Sequence, residues 1–139
     1  MEKIEILEEN ILQYIEKKII DLVTVWVMEE EELLGLCLTY FYDGQVFDIG
    51  IEINKFKYDE NLISRGKGVK KYYSFILQEK KEIREDFEKL ILFYQKNNTY
   101  VGITIKEISE KIRDNISKIN WSNIVKVDED FYIDIVEND

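Results

Sequence analysis

The apolar positions along this chain change period several times, and each change predicts a new element. Over residues 2–20, Ile4, Leu7, Ile11, Ile15 and Ile19 recur every three or four positions, with Leu12 beside them. That is the stripe of a core-facing helix. Asp21 interrupts it. The next stretch, LVTVWVM over 22–28, is short and β-branched, which predicts a strand with Val23, Val25 and Val27 on one face. Glu29, Glu30, Glu31 and Glu32 follow. Like charges this close repel and need water, so they predict a solvated loop.

Residues 33–53, LLGLCLTYFYDGQVFDIGIEI, alternate in the manner of two strands around Asp43-Gly44. Asp-Gly favours a tight primed turn. With that turn, Leu34, Leu36, Leu38 and Tyr40 stand opposite Ile53, Ile51, Ile49 and Phe47 on one apolar face. The other face carries Gly35, Cys37, Thr39 and Phe41 against Glu52, Gly50, Asp48 and Val46, and reads as small, polar and acidic.

Residues 54–68 have no period and end among lysines and glycines, which predicts a loop before a helix. Its Gly and Lys do not match the GxxxxGK[ST] phosphate cradle. Over 69–94, Val69, Tyr72, Tyr73, Ile76, Ile83, Phe87, Leu90, Ile91 and Tyr94 give a helical stripe that falters at Lys80. It predicts one long helix or two bending at 79–81, closed by Asn97-Asn98. Thr104 and Glu107 match a capping box. The helix it opens carries Ile105, Ile108, Ile112, Ile116 and Ile119 on one face. Residues 124–127 and 131–136 read as two strands about an Asp128-Glu129-Asp130 turn. Helices and strands are segregated rather than alternating. This predicts an α+β fold, a single domain over 1–139, with a largely antiparallel sheet built on the 33–53 hairpin and packed by amphipathic helices.

Composition narrows the classes of function. The formal net charge is −10. Nucleic-acid binders need basic patches, so DNA and RNA are not expected ligands. An acidic surface either keeps the chain soluble or meets a basic protein. No apolar run reaches the roughly 20 residues of a membrane helix. The acidic N-terminus does not read as a signal peptide. One cysteine, Cys37, suits a reducing cytoplasm.

Catalytic equipment is sparse. The chain has no histidine, which removes the usual general base and the commonest zinc ligand. Cys37 lies among apolar neighbours, where a thiol is inert. Asp48 and Glu52 share a strand face and offer the one candidate pair for acid–base work or a hard cation. The expectation is therefore no enzyme, no metal and no cofactor. A carboxylate-based metal protein or hydrolase is the alternative, and a structural component of a larger assembly is another. Tyr40, Tyr42, Tyr58, Tyr72, Tyr73 and Tyr94 include candidate interface anchors.

The closing segment, Asn120-Trp121-Ser122-Asn123 through Asp128-Glu129-Asp130-Phe131 to Asp134, resembles the W-S…D-D-F segment of a family of small bacterial proteins. These occur in polymorphic-toxin gene neighbourhoods and are regarded as including immunity proteins. The strand Gly35-Leu36-Cys37-Leu38-Thr39-Tyr40 leading to Asp43-Gly44 is similar to their early strand pair. Where that family has Thr-Glu-Glu, this chain has Ile53-Asn54-Lys55. The resemblance implies no catalytic residues. It implies a binding protein that neutralises a cognate toxin, and the charge suits a basic one, a nuclease for example. The candidate contacts, chosen by charge, are Glu29, Glu30, Glu31, Glu32, Asp43, Asp128, Glu129 and Asp130, with Asp48 and Glu52 as a second patch if no helix covers them.

Overall fold

Ile11, Ile15, Ile19, Val23 and Val27 stand four residues apart, and each is at most 5% exposed. In the structure, a computed structural model that describes residues 2–43, 46–58, 67–77, 80–97 and 101–137, this stripe belongs to α1, Glu2–Trp26, and to Val27 just past its end, whose N–H still donates to Val23 O at 2.9 Å. The strand expected over 22–28 is absent. Its Val25 is 77% exposed, while Val23 is fully buried. Valine loses only a few tenths of a kcal/mol in a helix, at most about 0.7. Burying a valine returns roughly 1.5–3 kcal/mol, so continuing the stripe wins. Asp21 sits on the exposed side and interrupts nothing.

β1 (Glu32–Asp43) and β2 (Val46–Tyr58) pair antiparallel. Leu36, Leu38, Tyr40, Ile49, Ile51 and Ile53 form the buried face, as the alternation requires. The register differs from the expected one by two residues: Leu38 pairs with Ile51, not Ile49, and Asp43 pairs with Val46. A shift of two leaves every side chain on its own face, so the hydrophobic pattern could not choose between the two registers. The tight turn expected at Asp43-Gly44 falls at Gly44 and Gln45, which lie outside the described residues. A bulge between Leu33 and Gly35 turns Leu33 into the core, leaving Leu34 half-buried.

The stretch read as the start of a long helix is a strand, β3, Lys67–Phe75. Val69, Lys71, Tyr73 and Phe75 alternate with Lys70, Tyr72 and Ser74, and aromatic residues suit a pleated surface. Ile76 and Leu77 then turn into the core, both fully buried. The helix α2 runs Lys81–Lys96, preceded by Lys80 in extended conformation. The lysine that broke the stripe is thus the helix boundary. Asn97 ends α2 with its side-chain amide donating to Phe93 O at 2.8 Å, not with a left-handed backbone.

α3 spans Val101–Ser117. Thr104 is therefore inside the helix and buried, and the capping box expected at Thr104 and Glu107 does not form the start. Trp121 closes this end: its indole N–H donates to Ile116 O at 3.0 Å, one of the carbonyls a helix end leaves over. A short 3-10 turn, Trp121–Asn123, leads to β4, Val127–Glu137. The two short strands expected at 124–127 and 131–136 are one strand beginning at Val127. The acidic triplet between them is a bulge: Val127 pairs with Leu33 and Tyr132 with Gly35. Asp128 holds it by accepting from the Asp130 N–H at 3.0 Å, a local turn that aspartate favours.

The sheet order is β3-β2-β1-β4, with β4 parallel to β1 and the other pairs antiparallel. The fold is α+β with a mostly antiparallel four-stranded sheet. The apolar stripes of the three helices and the inward side chains of the sheet form one cluster. No described helix is long and apolar enough to cross a membrane.

Candidate functional site

Helices occupy one face of the sheet. The opposite face carries Tyr73, Phe75, Tyr132 and Val136 at 37–48% exposure, a set of large apolar groups on a surface that no described helix packs. Cross-strand register orders this face into rows. Phe75, Gly50, Thr39 and Val136 form one row; Tyr73, Glu52, Cys37 and Asp134 form the next; Lys71, Asn54, Gly35 and Tyr132 form the third.

The two central glycines seat the two tyrosines. A Cβ on Gly35 would lie 2.3 Å from Cζ of Tyr132, and a Cβ on Gly50 would lie 2.3 Å from the hydroxyl of Tyr73. Each ring therefore comes inward from an edge strand and lies against bare backbone. Asn54 Nδ2 donates to the Tyr132 hydroxyl at 2.9 Å. The Tyr73 hydroxyl shares a hydrogen bond of 2.8 Å with Thr39 Oγ1. Phe75 meets Tyr73 and Phe41 edge to face, with centroids 5.1 and 6.0 Å apart, geometries aromatic pairs favour.

Between the tyrosines lies an acidic strip. Glu52 and Asp134 flank Cys37 on either side. Burial first, then these two carboxylates, push the Cys37 thiol above its ordinary 9.0, with Lys71 opposing them. Lys71 Nζ lies 3.5 Å from Glu52. Asn54 is 4% exposed, and its Oδ1 has no hydrogen-bond partner among the described residues.

The residues chosen from sequence by charge are scattered. Glu29 and Glu30 are exposed at the turn after α1. Glu31 is 5% exposed and Asp48 1%, so neither presents its carboxylate to a partner. Glu31 receives Lys55 Nζ at 2.8 Å and the Met28 N–H at 2.8 Å. Lys55 also donates to Trp26 O at 2.7 Å and sits 4.0 Å over the Trp26 ring. This clamp joins the end of α1 to β1 and β2. Asp48 Oδ1 accepts from the Ile49 and Leu77 N–H groups and holds the exit of β3. Glu32 lies 3.7 Å from Lys126. Glu129 and Asp130 are exposed on the β4 bulge and Asp128 is half-buried. Because β1 and β4 run parallel, Glu29 and Glu30 share the end of the sheet where β1 and β4 begin with that bulge. Asp43 ends β1 at the other end, and its side chain is outside the described residues. Glu52 is half-buried at the centre of the open face.

Asp48 and Glu52, the pair considered for acid–base or cation chemistry, stand four residues apart on one strand, roughly 13 Å along it. They cannot share one proton or one cation. Among the described residues no group of three or more cysteines and carboxylates gathers at metal-binding distance.

Tyr73 was recognisable as a candidate anchor, but Phe75, Tyr132 and Val136 were not. The signal lay in the alternation of Val69, Lys71, Tyr73 and Phe75 and in the outer-face glycines of the hairpin. No protein-family model, curated protein or solved structure matches the chain.

Proposed function

We propose that this protein is a non-catalytic binding protein, an immunity protein that neutralises a cognate basic toxin of the same bacterium. The observation that carries the reading is the open sheet face: exposed Tyr73, Phe75, Tyr132 and Val136 on a folded sheet with no described helix over them. Monomer surfaces seldom leave such groups together without a partner. The net charge of −10 supports a basic partner, since opposite fields raise encounter rates. The resemblance at 120–134 supports the toxin-system context. The lack of histidine and the separation of Asp48 from Glu52 favour binding over turnover. A nuclease toxin suits this reading, because a cleft that holds phosphates is basic. In the cell the protein would act in the cytoplasm, where such a toxin meets nucleic acid.

The test is co-expression with the toxin-like product of the adjacent gene. Rescue of growth, with both chains recovered in one complex, is the expected outcome. Cell death without a complex with any neighbouring product rejects the reading.

A further inference from the structure

The open face is more specific than a bare apolar patch. Its two tyrosines reach inward over Gly35 and Gly50, which stand two rows, or four residues of strand, apart on this face: Gly35 faces Asn54, and Gly50 faces Thr39. Four residues along a strand span roughly 13 Å. Between the two rings runs the middle row, the trough of this face, with Cys37 as its floor and Glu52 and Asp134 on its two sides. Aromatic rings border it, and such rings attract cations over their faces. Its sides are carboxylates, which accept from Lys and Arg. Beside it, Asn54 keeps an unpaired buried acceptor, and the cationic side chains carry only donors.

Resting on the immunity reading, we propose that the basic toxin docks on this outer sheet face, seating a Lys or Arg side chain in the trough between Tyr73 and Tyr132. Glu52 and Asp134 receive the cation, and Lys71 gives up Glu52 to it. Phe75 and Val136 supply the apolar contact around that centre. Glu29, Glu30 and the β4 bulge, at one end of the sheet, steer the approach and are not the seat. Charge complementarity selects the occupant: a second copy of this chain would bring another net charge of −10 to the same face.

Cys37 makes the test direct, because it is the chain's one thiol and lies in the trough. The adjacent gene's toxin, carried as a catalytically dead variant without cysteines, is the probe. The rate of Cys37 alkylation by a maleimide is measured with and without it. Protection of at least about tenfold is expected on a buried interface centre. Asp134→Lys with Val136→Glu, both exposed positions, should weaken binding by about a hundredfold with an unchanged melt, while Glu29→Lys with Glu30→Lys should mainly slow association. A complex in which Cys37 reacts at its free rate, or in which the sheet-face variant binds as wild type, overturns the inference and leaves the immunity reading intact. Protection of Cys37 in a dimer of the free protein, unchanged by the toxin, overturns it in favour of a second copy. No complex at all overturns both.

Discussion

Lys55 falls in the stretch over 54–68 that reads as a loop, yet β2 continues through it to Tyr58. It stands on the core side of β2, 7% exposed, where the alternation asks for an apolar residue. Its four-carbon stem fills that place, and its ammonium closes the clamp with Glu31 and Trp26 O. Glu31→Gln or Lys55→Met alone should therefore cost about 3–5 kcal/mol, since each strands a buried charge. The double variant Glu31→Leu with Lys55→Met should recover most of that loss. Urea midpoints of the four proteins form the cycle that checks it. Gly35 gives a contrasting case. Gly35→Ala pushes the Tyr132 ring off the sheet and breaks its bond with Asn54, yet the ring can swing into solvent. The expected loss of stability is modest, about 1 kcal/mol, while toxin binding falls far more. Equal losses in the two measurements would mean that Tyr132 matters only to the fold. Cys37 supplies a pH test. Its thiol is raised by burial first and by Glu52 and Asp134 next, so the folded state holds the proton more tightly than the unfolded chain. That contribution is complete below the ordinary value of 9.0 and is lost as pH rises through the folded value. Alkylation of the folded protein should thus titrate above 9.0, and Glu52→Gln with Asp134→Asn should move the midpoint down. None of these roles was legible in the sequence: a charge run hid that Glu31 points inward, and residue type alone gave no sign that Lys55 meets it across the fold.

At the scale of elements, sequence pattern succeeded where burial is one-sided. The core faces of the hairpin and of α3 were readable because alternation and the four-residue stripe each leave one answer. Leu36 is fully buried at the middle of the hairpin face, so Leu36→Asp should abolish the cooperative melt, because it buries a charge with no partner. A wild-type melt from that variant would refute the face assignment. The pattern failed at two short stretches with both periods in them. In 22–28 the β-branched residues spoke for a strand, but Val23 and Val27 also extended the α1 stripe, and the longer burial won. In 69–75 the spacing of Val69, Tyr72, Tyr73 and Ile76 imitated a helix. Pairing with β2 decided for a strand, and pairing with a distant segment is not visible locally. The segment resembling the toxin-system family is built mainly for the fold: Trp121 caps α3, Phe131 packs against it with centroids 6.4 Å apart, and Asp128 forms the bulge.

Over the described residues, two layers leave one sheet face without a cover, and charge says what could approach it. The carboxylates selected from sequence do not act alike: Glu32 lies beside Lys126 and Asp128 shapes the β4 bulge, the Asp43 side chain is outside the described residues, and the other seven fall into three kinds. Glu31 and Asp48 hold the fold together, Glu29, Glu30, Glu129 and Asp130 lie at the exposed end where β1 and β4 begin, and Glu52 sits on the open face with Asp134, which charge alone had not selected. The sequence could show that the chain is acidic and has no histidine. It could not show which acids were exposed, because that depends on β4 lying parallel to β1 and on β3 being a strand. We propose that this face and this charge together serve to capture a basic toxin. The most direct measurement is the association rate of the purified protein with the inactivated toxin as ionic strength is varied. Capture of a basic toxin by this face requires a tight one-to-one complex whose association speeds up as salt is lowered, with a flatter salt dependence when Glu29 and Glu30 become lysine. A basic toxin that fails to bind at low salt, or binds at a rate indifferent to salt, would contradict it.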